Sequence, residues 1–164
     1  MILTELLLAH KKKFRQKLIE ALAKKYSLGT REMEEEHEEF IEQYVADKYE
    51  PVEQLIERIN VMERPVILNI RRSRSREDKC KLCEANQLNI DELEKKYGDS
   101  IEVVEVTEDM PDGAALYLII FHEEAKEKKL PLTAVVNKGD ILKFWAGKSV
   151  EPAVYEMYIK KILS

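Results

Sequence analysis

The sequence predicts an α/β domain preceded by an all-helical N-terminal segment. Apolar residues recur at helical spacing up to about residue 64, the hydrophobic period changes at Pro65, and strand-like and helix-like runs then alternate to the end of the chain. These features divide the 164 residues into a helical segment, 1–64, and an α/β domain, 65–164. Apolar residues make up 45%, with only five glycines and five prolines, which indicates an ordered globular chain rather than a linker-rich one.

The first segment is expected to hold about three helices. Leu3, Leu7, Phe14, Leu18, Ala21 and Leu22 share helical spacing along a run ending near Tyr26, where Gly29 supplies a stop and Thr30 an N-cap. A second helix places Met33, His37, Phe40, Ile41, Tyr44 and Val45 on one face, with glutamates from Glu32 to Glu42 around it. Pro51 fits the first turn of a third helix bearing Val52, Leu55, Ile56, Ile59 and Met62. Such amphipathic helices must bury their apolar faces against one another, against the following domain or against a partner.

After Pro65, Val66 to Ile70 is a nearly continuous apolar run of strand length, the pattern of a central strand covered on both faces. A helix-like run follows from Glu84 to Tyr97, then a β-branched strand from Ile101 to Val106. The stretch Ala114–Lys129 contains six consecutive apolar residues that could pair as a strand, but its flanks, Asp112-Gly113 and His122 to Lys126, favour a helix. Pro131 opens Leu132 to Val136, the turn Asn137-Lys138-Gly139-Asp140 leads into a strand through Trp145, and one of Phe144 and Trp145 is expected in the core. The closing helix runs from about Val150 to Leu163, with Val154, Met157, Tyr158 and Ile162 facing inward.

Between the first strand and the following helix lies Cys80-Lys81-Leu82-Cys83. Two thiols at a helix start form and break a disulfide with little backbone movement, so this placement points to redox chemistry. Cys80 at the helix N-terminus, flanked by Lys79 and Lys81 with Arg71, Arg72, Arg74 and Arg76 close before, is expected to ionise about one pH unit below the reference near 8.5. The alternatives are a structural pair or a metal pair. His10, His37 and His122 lack ligand spacing to the cysteines, so an intrachain zinc site is not expected, whereas two chains could share a metal through four cysteines.

The second half resembles the thioredoxin family. The resemblance rests on the cysteine pair between strand and helix, the strand–helix order around it, and Pro131, Gly139 and Gly147 at eight-residue intervals. It implies a central mixed sheet flanked by helices, with Pro131 as the family's cis-proline beside the cysteines. It also implies thiol-disulfide oxidoreduction, with Cys80 attacking, Cys83 resolving, and Leu130 and Pro131 contacting the substrate chain. No bound cofactor and no metal are implied, because the electrons reside in the cysteines; protein disulfides would be the substrates, and a reductase or small thiol would regenerate the pair. Lys81-Leu82 replaces the family's Gly-Pro, Lys79 its tryptophan, and Asn69 falls where its buried aspartate lies, with Glu77 or Asp78 as candidate substitutes. A thioredoxin-like interaction module with a non-catalytic or metal-sharing pair is the competing reading.

A net charge of -5 argues against nucleic-acid partners. The arginines from Arg71 to Arg76 read as a solvated charged loop that the acidic stretch Glu34 to Glu39 is a candidate to cover. Met1 to Ala9 is apolar, but its basic residues follow instead of preceding it and no run reaches bilayer length, so the expectation is a cytoplasmic protein without membrane attachment. There a C-x-x-C is expected to cycle between dithiol and disulfide. The helical segment also offers a surface for a homodimer.

Overall fold

The apolar spacing of the first segment produces α1 (Leu3–Tyr26), α2 (Thr30–Glu36) and α3 (Glu38–Asn60) in a computed structural model that describes residues 1–122 and 127–164. Three helices are present, as expected, but their divisions differ. Ser27, not Gly29, takes the left-handed position that ends α1, because the Leu28 N–H reaches back to the Ala23 carbonyl. Gly29 is the N-cap of α2, and Thr30 is already helical without a side-chain capping bond. The acidic run breaks at His37, where glutamates four residues apart would repel along a continuous helix.

Pro51 does not begin a helix but lies inside α3. A proline there forfeits one backbone bond and crowds the preceding turn, at a cost of about 3 kcal/mol. The unbroken buried face of Val45, Tyr49, Val52, Leu55, Ile56 and Ile59 offsets that cost. Phe40 and Tyr44, expected on the same face as Ile41 and Val45, are instead about half exposed.

Beyond Pro65 the chain forms β1 (Val66–Arg71), α4 (Lys81–Tyr97), a short 3-10 turn at Gly98–Ser100, β2 (Glu102–Thr107), α5 (Pro111–Phe121), β3 (Leu132–Asn137), β4 (Asp140–Ala146) and α6 (Pro152–Leu163). The sheet has the order β2-β1-β3-β4, with β1 and β2 parallel and the other pairs antiparallel. All six residues of β1 are buried, as the apolar run predicted for a strand covered on both faces. Lys138 and Gly139 both have positive φ in the turn between β3 and β4, the twist-compatible geometry of a two-residue hairpin.

Alternation along the strands divides the interior into two layers. Val66, Leu68 and Ile70 face a core completed by Leu3 and Leu7 of α1, Tyr49 and Ile56 of α3, and Leu116 and Ile120 of α5. Thus the N-terminal helices bury their apolar faces on the sheet's own core. Ile67 and Val135 face the other layer, where Ile90 and Leu93 of α4 meet Tyr155 and Ile159 of α6. A register shift near Val136 pairs it with Ile141 while Val135 pairs with Lys143, which brings Ile141 and Phe144 to the same face. Phe144 then packs on Phe121 and Trp145 on Tyr155, so each aromatic serves a different layer.

Two expected helices need correction. The helix placed over Ala114–Lys129 ends at Phe121, because His122 adopts a left-handed cap and its N–H bonds to the Leu118 carbonyl; residues 123–126 of that range lie outside the described residues. In α6 the buried face centres on Tyr155 and Ile159, one turn apart, which turns Met157 outward. Val154, Tyr158 and Ile162 flank that face, partly buried. No helix among the described residues is long and apolar enough to cross a membrane.

Candidate functional site

The site begins with the junction between β1 and α4. The loop after Arg71 returns to the sheet at Cys80, the N-cap of α4, whose backbone is extended and whose Sγ accepts the Cys83 N–H at 3.1 Å. The Glu84 N–H donates to the Cys80 carbonyl at 3.0 Å and closes the first turn. This places the two Cα atoms 5.2 Å apart, and Cys80 and Cys83 are joined by a disulfide. Cys80 is half-buried, whereas Cys83, one turn into the helix, is 1% exposed within the first core layer.

The opposite wall is the entry to β3. The Leu130–Pro131 peptide is cis, as the resemblance implied, and the Leu130 carbonyl oxygen lies 3.9 Å from Cys80 Sγ. The Pro131 carbonyl accepts the Gly147 N–H at 3.0 Å, tying the end of β4 to this segment. Gly147 has φ +68, and a Cβ there would stand 3.1 Å from Lys129 Cβ, so the close approach and the backbone both favour glycine. Leu130 and Pro131 are themselves buried.

The surrounding charges differ from the expected arrangement. Lys79 and Lys81 are exposed; the Lys79 ammonium bonds to the Arg74 carbonyl, inside its own loop. The acidic helix does not cover the arginines: Glu34 and Glu42 pair with Arg15, while Arg74 pairs with Glu105, and Arg76 with Asp78 and Glu108. Arg76 holds the exposed Asp78 carboxyl below the usual carboxylate range, so Asp78 is an ionised partner of the loop. Local pairs suffice because Arg72, Arg74 and Arg76 each lie near a carboxylate of the loop, of β2 or of the turn after it.

Asn69 and Arg71 occupy the interior beneath α4. Asn69 is buried; its Nδ2 donates to Gln87 Oε1 at 3.3 Å and its Oδ1 has no partner. Arg71 opens the arginine run expected to be a solvated loop, yet its side chain is only 2% exposed. Its guanidinium donates to the Arg72 carbonyl at 3.0 Å, to Gln87 Oε1 at 3.1 Å and to Glu84 Oε1 at 2.8 Å. The signal that could have found it is the strand period, which sets Arg71 on the same face as Ile67 and Asn69.

A separate cleft of about 350 Å³ lies between α1, α3 and the end of α5, lined among others by His10, Lys13, Phe14, Lys17, Lys48 and His122. It shares no residue with the cysteine site. His37 lies at the break between α2 and α3. Among the described residues no group of three or more His, Cys, Asp or Glu side chains converges as a metal site.

A helical segment followed by a mixed four-stranded sheet with helices on both faces defines a thioredoxin-like fold, here carrying a C-x-x-C disulfide at a helix N-terminus. No protein-family model matches the chain, and no curated protein matches it. Among solved structures it is similar to that of a malarial protein, with TM-score 0.47 and 21% identity over 62% of this chain and 99% of the other. It is also similar to Trxlp from Edwardsiella tarda EIB202, with TM-score 0.45 and 14% identity over 63% and 90% of the two chains.

Proposed function

We propose that the protein is a thiol-disulfide oxidoreductase acting on protein disulfides through Cys80 and Cys83. The observation that carries this reading is the 3.9 Å approach of the half-buried Cys80 Sγ to the Leu130 carbonyl, with its partner sulfur sealed behind it. In the reduced state the Cys80 thiolate attacks one sulfur of a substrate disulfide, forming a Cys80–substrate bond and releasing the other substrate sulfur as a thiolate. Cys83 then attacks Cys80 Sγ, forming the internal disulfide and releasing the second substrate thiolate. Two electrons pass to the substrate, and a reductase or small thiol returns them to the pair.

Leu130 and Pro131 are the substrate-contacting residues in this reading, and the N-cap geometry supplies the N–H groups and dipole that favour a Cys80 thiolate. Lys79 and Lys81 add a screened contribution from the surface. A reducing compartment such as the cytoplasm suits such a cycle. Insulin reduction by dithiothreitol-regenerated protein tests the assignment: Cys80→Ser is expected to abolish turnover, and full activity in that variant would remove it.

The second reading, a binding platform, is favoured by the aromatic surface of the N-terminal helices, where Phe40 and Tyr44 are 54% and 48% exposed. Thiol titration separates the two. Loss of both thiols under mild oxidant without dimer formation supports the redox pair, whereas unreactive thiols support the platform.

A further inference from the structure

Along β1, Ile67, Asn69 and Arg71 alternate on the face covered by α4, where Ile67 meets Ile90 and Leu93 while Asn69 and Arg71 bond to Gln87. Arg71 is the one buried cation among the described residues. Its contacts to Glu84 and Gln87 bracket the first two turns of α4: Glu84 follows Cys83 in the chain, and Gln87 lies one turn beyond it on the same face. The guanidinium is therefore held beside the turn that presents Cys83.

That placement matters because Cys83 is 1% exposed and belongs to the apolar first core layer. Desolvation in such surroundings disfavours a thiolate, yet resolution of a mixed disulfide requires one. Lys79 and Lys81 are exposed, where water and salt screen them. Glu84, the counter-ion of Arg71, is itself 50% exposed, so solvent shares its charge, while the guanidinium faces a low-dielectric interior. Burying a cation is costly, and this one is retained at the only dithiol of the chain.

Resting on the redox reading above, we propose that Arg71 is a positioning residue of the dithiol: from beneath α4 it stabilises the Cys83 thiolate and so promotes the resolving step. In that step Cys83 Sγ attacks Cys80 Sγ of the mixed disulfide, the Cys80–Cys83 bond forms, and the Cys80–substrate bond breaks. The electron pair leaves on the substrate sulfur, which takes a proton from solvent. The dithiol is oxidised and the substrate disulfide reduced.

The test uses the full chain with Cys80→Ser, in which Cys83 is the single thiol. Its ultraviolet thiolate absorbance against pH, with the Cys80→Ser/Cys83→Ser protein as blank, reports ionisation without requiring turnover. Arg71→Met is expected to raise the midpoint by about one pH unit or more, and Arg71→Lys to return most of that shift. Glu84→Gln, which frees the guanidinium of its counter-ion at a half-exposed position, is expected to lower it. An unmoved midpoint in Arg71→Met, or one that stays or rises in Glu84→Gln, overturns the proposal; should Arg71→Met not fold, the Glu84→Gln result decides. Failure of the redox reading is seen separately, as reduced wild-type protein that leaves insulin disulfides intact whatever the midpoints.

Discussion

The Tyr155 hydroxyl donates to Asn86 Oδ1 at 3.0 Å in the buried layer between α4 and α6, and lies equally close to Thr133 Oγ1 of β3. The same Asn86 oxygen accepts the Val150 N–H at 2.9 Å, so one side chain of the cysteine-bearing helix fixes both the entry and the first turn of α6. Burial pushes the Tyr155 phenol above its ordinary pKa, and it remains a neutral donor through the physiological range. Tyr155→Phe removes the donor and leaves Thr133 and Asn86 underserved in a dry site. The expected loss is about 1–3 kcal/mol, read by denaturant unfolding, with the Cys80–Cys83 disulfide still forming.

Cys83→Ser leaves the attacking sulfur without its resolving partner. Incubated with an excess of a disulfide-bonded protein, this variant is expected to accumulate a mixed disulfide that a non-reducing gel displays and dithiothreitol dissolves. The wild type resolves the same adduct within its own helix turn and should show little of it.

Tyr49 and His10 join α3 to α1, with His10 Nδ1 2.7 Å from the Tyr49 hydroxyl. Burial pushes the Tyr49 phenol up to about 12. The unfolded phenol ionises near 10, so the unfolded state loses its proton first; this contribution is complete below about pH 10 and is lost as pH rises towards about 12. Tyr49→Phe should flatten that alkaline decline while lowering stability at neutral pH through the lost bond. His10 shifts the opposite way: burial first, then His122, Lys48, Lys13 and Lys17, hold it below its ordinary value. Its contribution is present above about pH 6.5 and declines as pH falls through the lowered folded value. Unfolding free energies measured across both limbs check the signs.

Gly113 lies in the first turn of α5, where a Cβ would stand 2.0 Å from the Thr107 carbonyl oxygen. That neighbour is backbone at the end of β2 and cannot swing aside. Gly113→Ala is therefore expected to destabilise by about 1–3 kcal/mol or more, the overpacking range, and thermal unfolding would register it.

Where local chemistry decided the outcome, the sequence was readable. Val66 to Ile70 could be placed because a strand buried on both faces is apolar throughout, and Cys80 because its C-x-x-C lies between a strand-like and a helix-like run. Pro131, Gly139 and Gly147 could be placed because their spacing resembles that of the thioredoxin family. Tertiary forces hid the rest. Pro51 reads as a helix start on propensity, yet the continuous buried stripe of α3 carries the helix through it. Met157 and Phe40 read as core by hydrophobicity, but which arc of a helix faces inward was settled by neighbours distant in sequence. Arg71 reads as solvated because arginine nearly always is, and only the meeting of β1 with Glu84 and Gln87 reveals a polar recess able to hold it.

The opening residues are stitched to the β3–β4 hairpin: Ile2 forms an isolated bridge with Asp140, the Leu3 N–H donates to the Gly139 carbonyl, and the Ile141 N–H donates to the Met1 carbonyl. During synthesis the first helix therefore leaves the ribosome long before its docking hairpin exists. The contacts of Ile2 and Leu3 with Gly139 and Asp140 span nearly the whole sequence, so they cost loop-closure entropy before they return any burial, and the seating of the first helix against the hairpin is a slow, late step of folding.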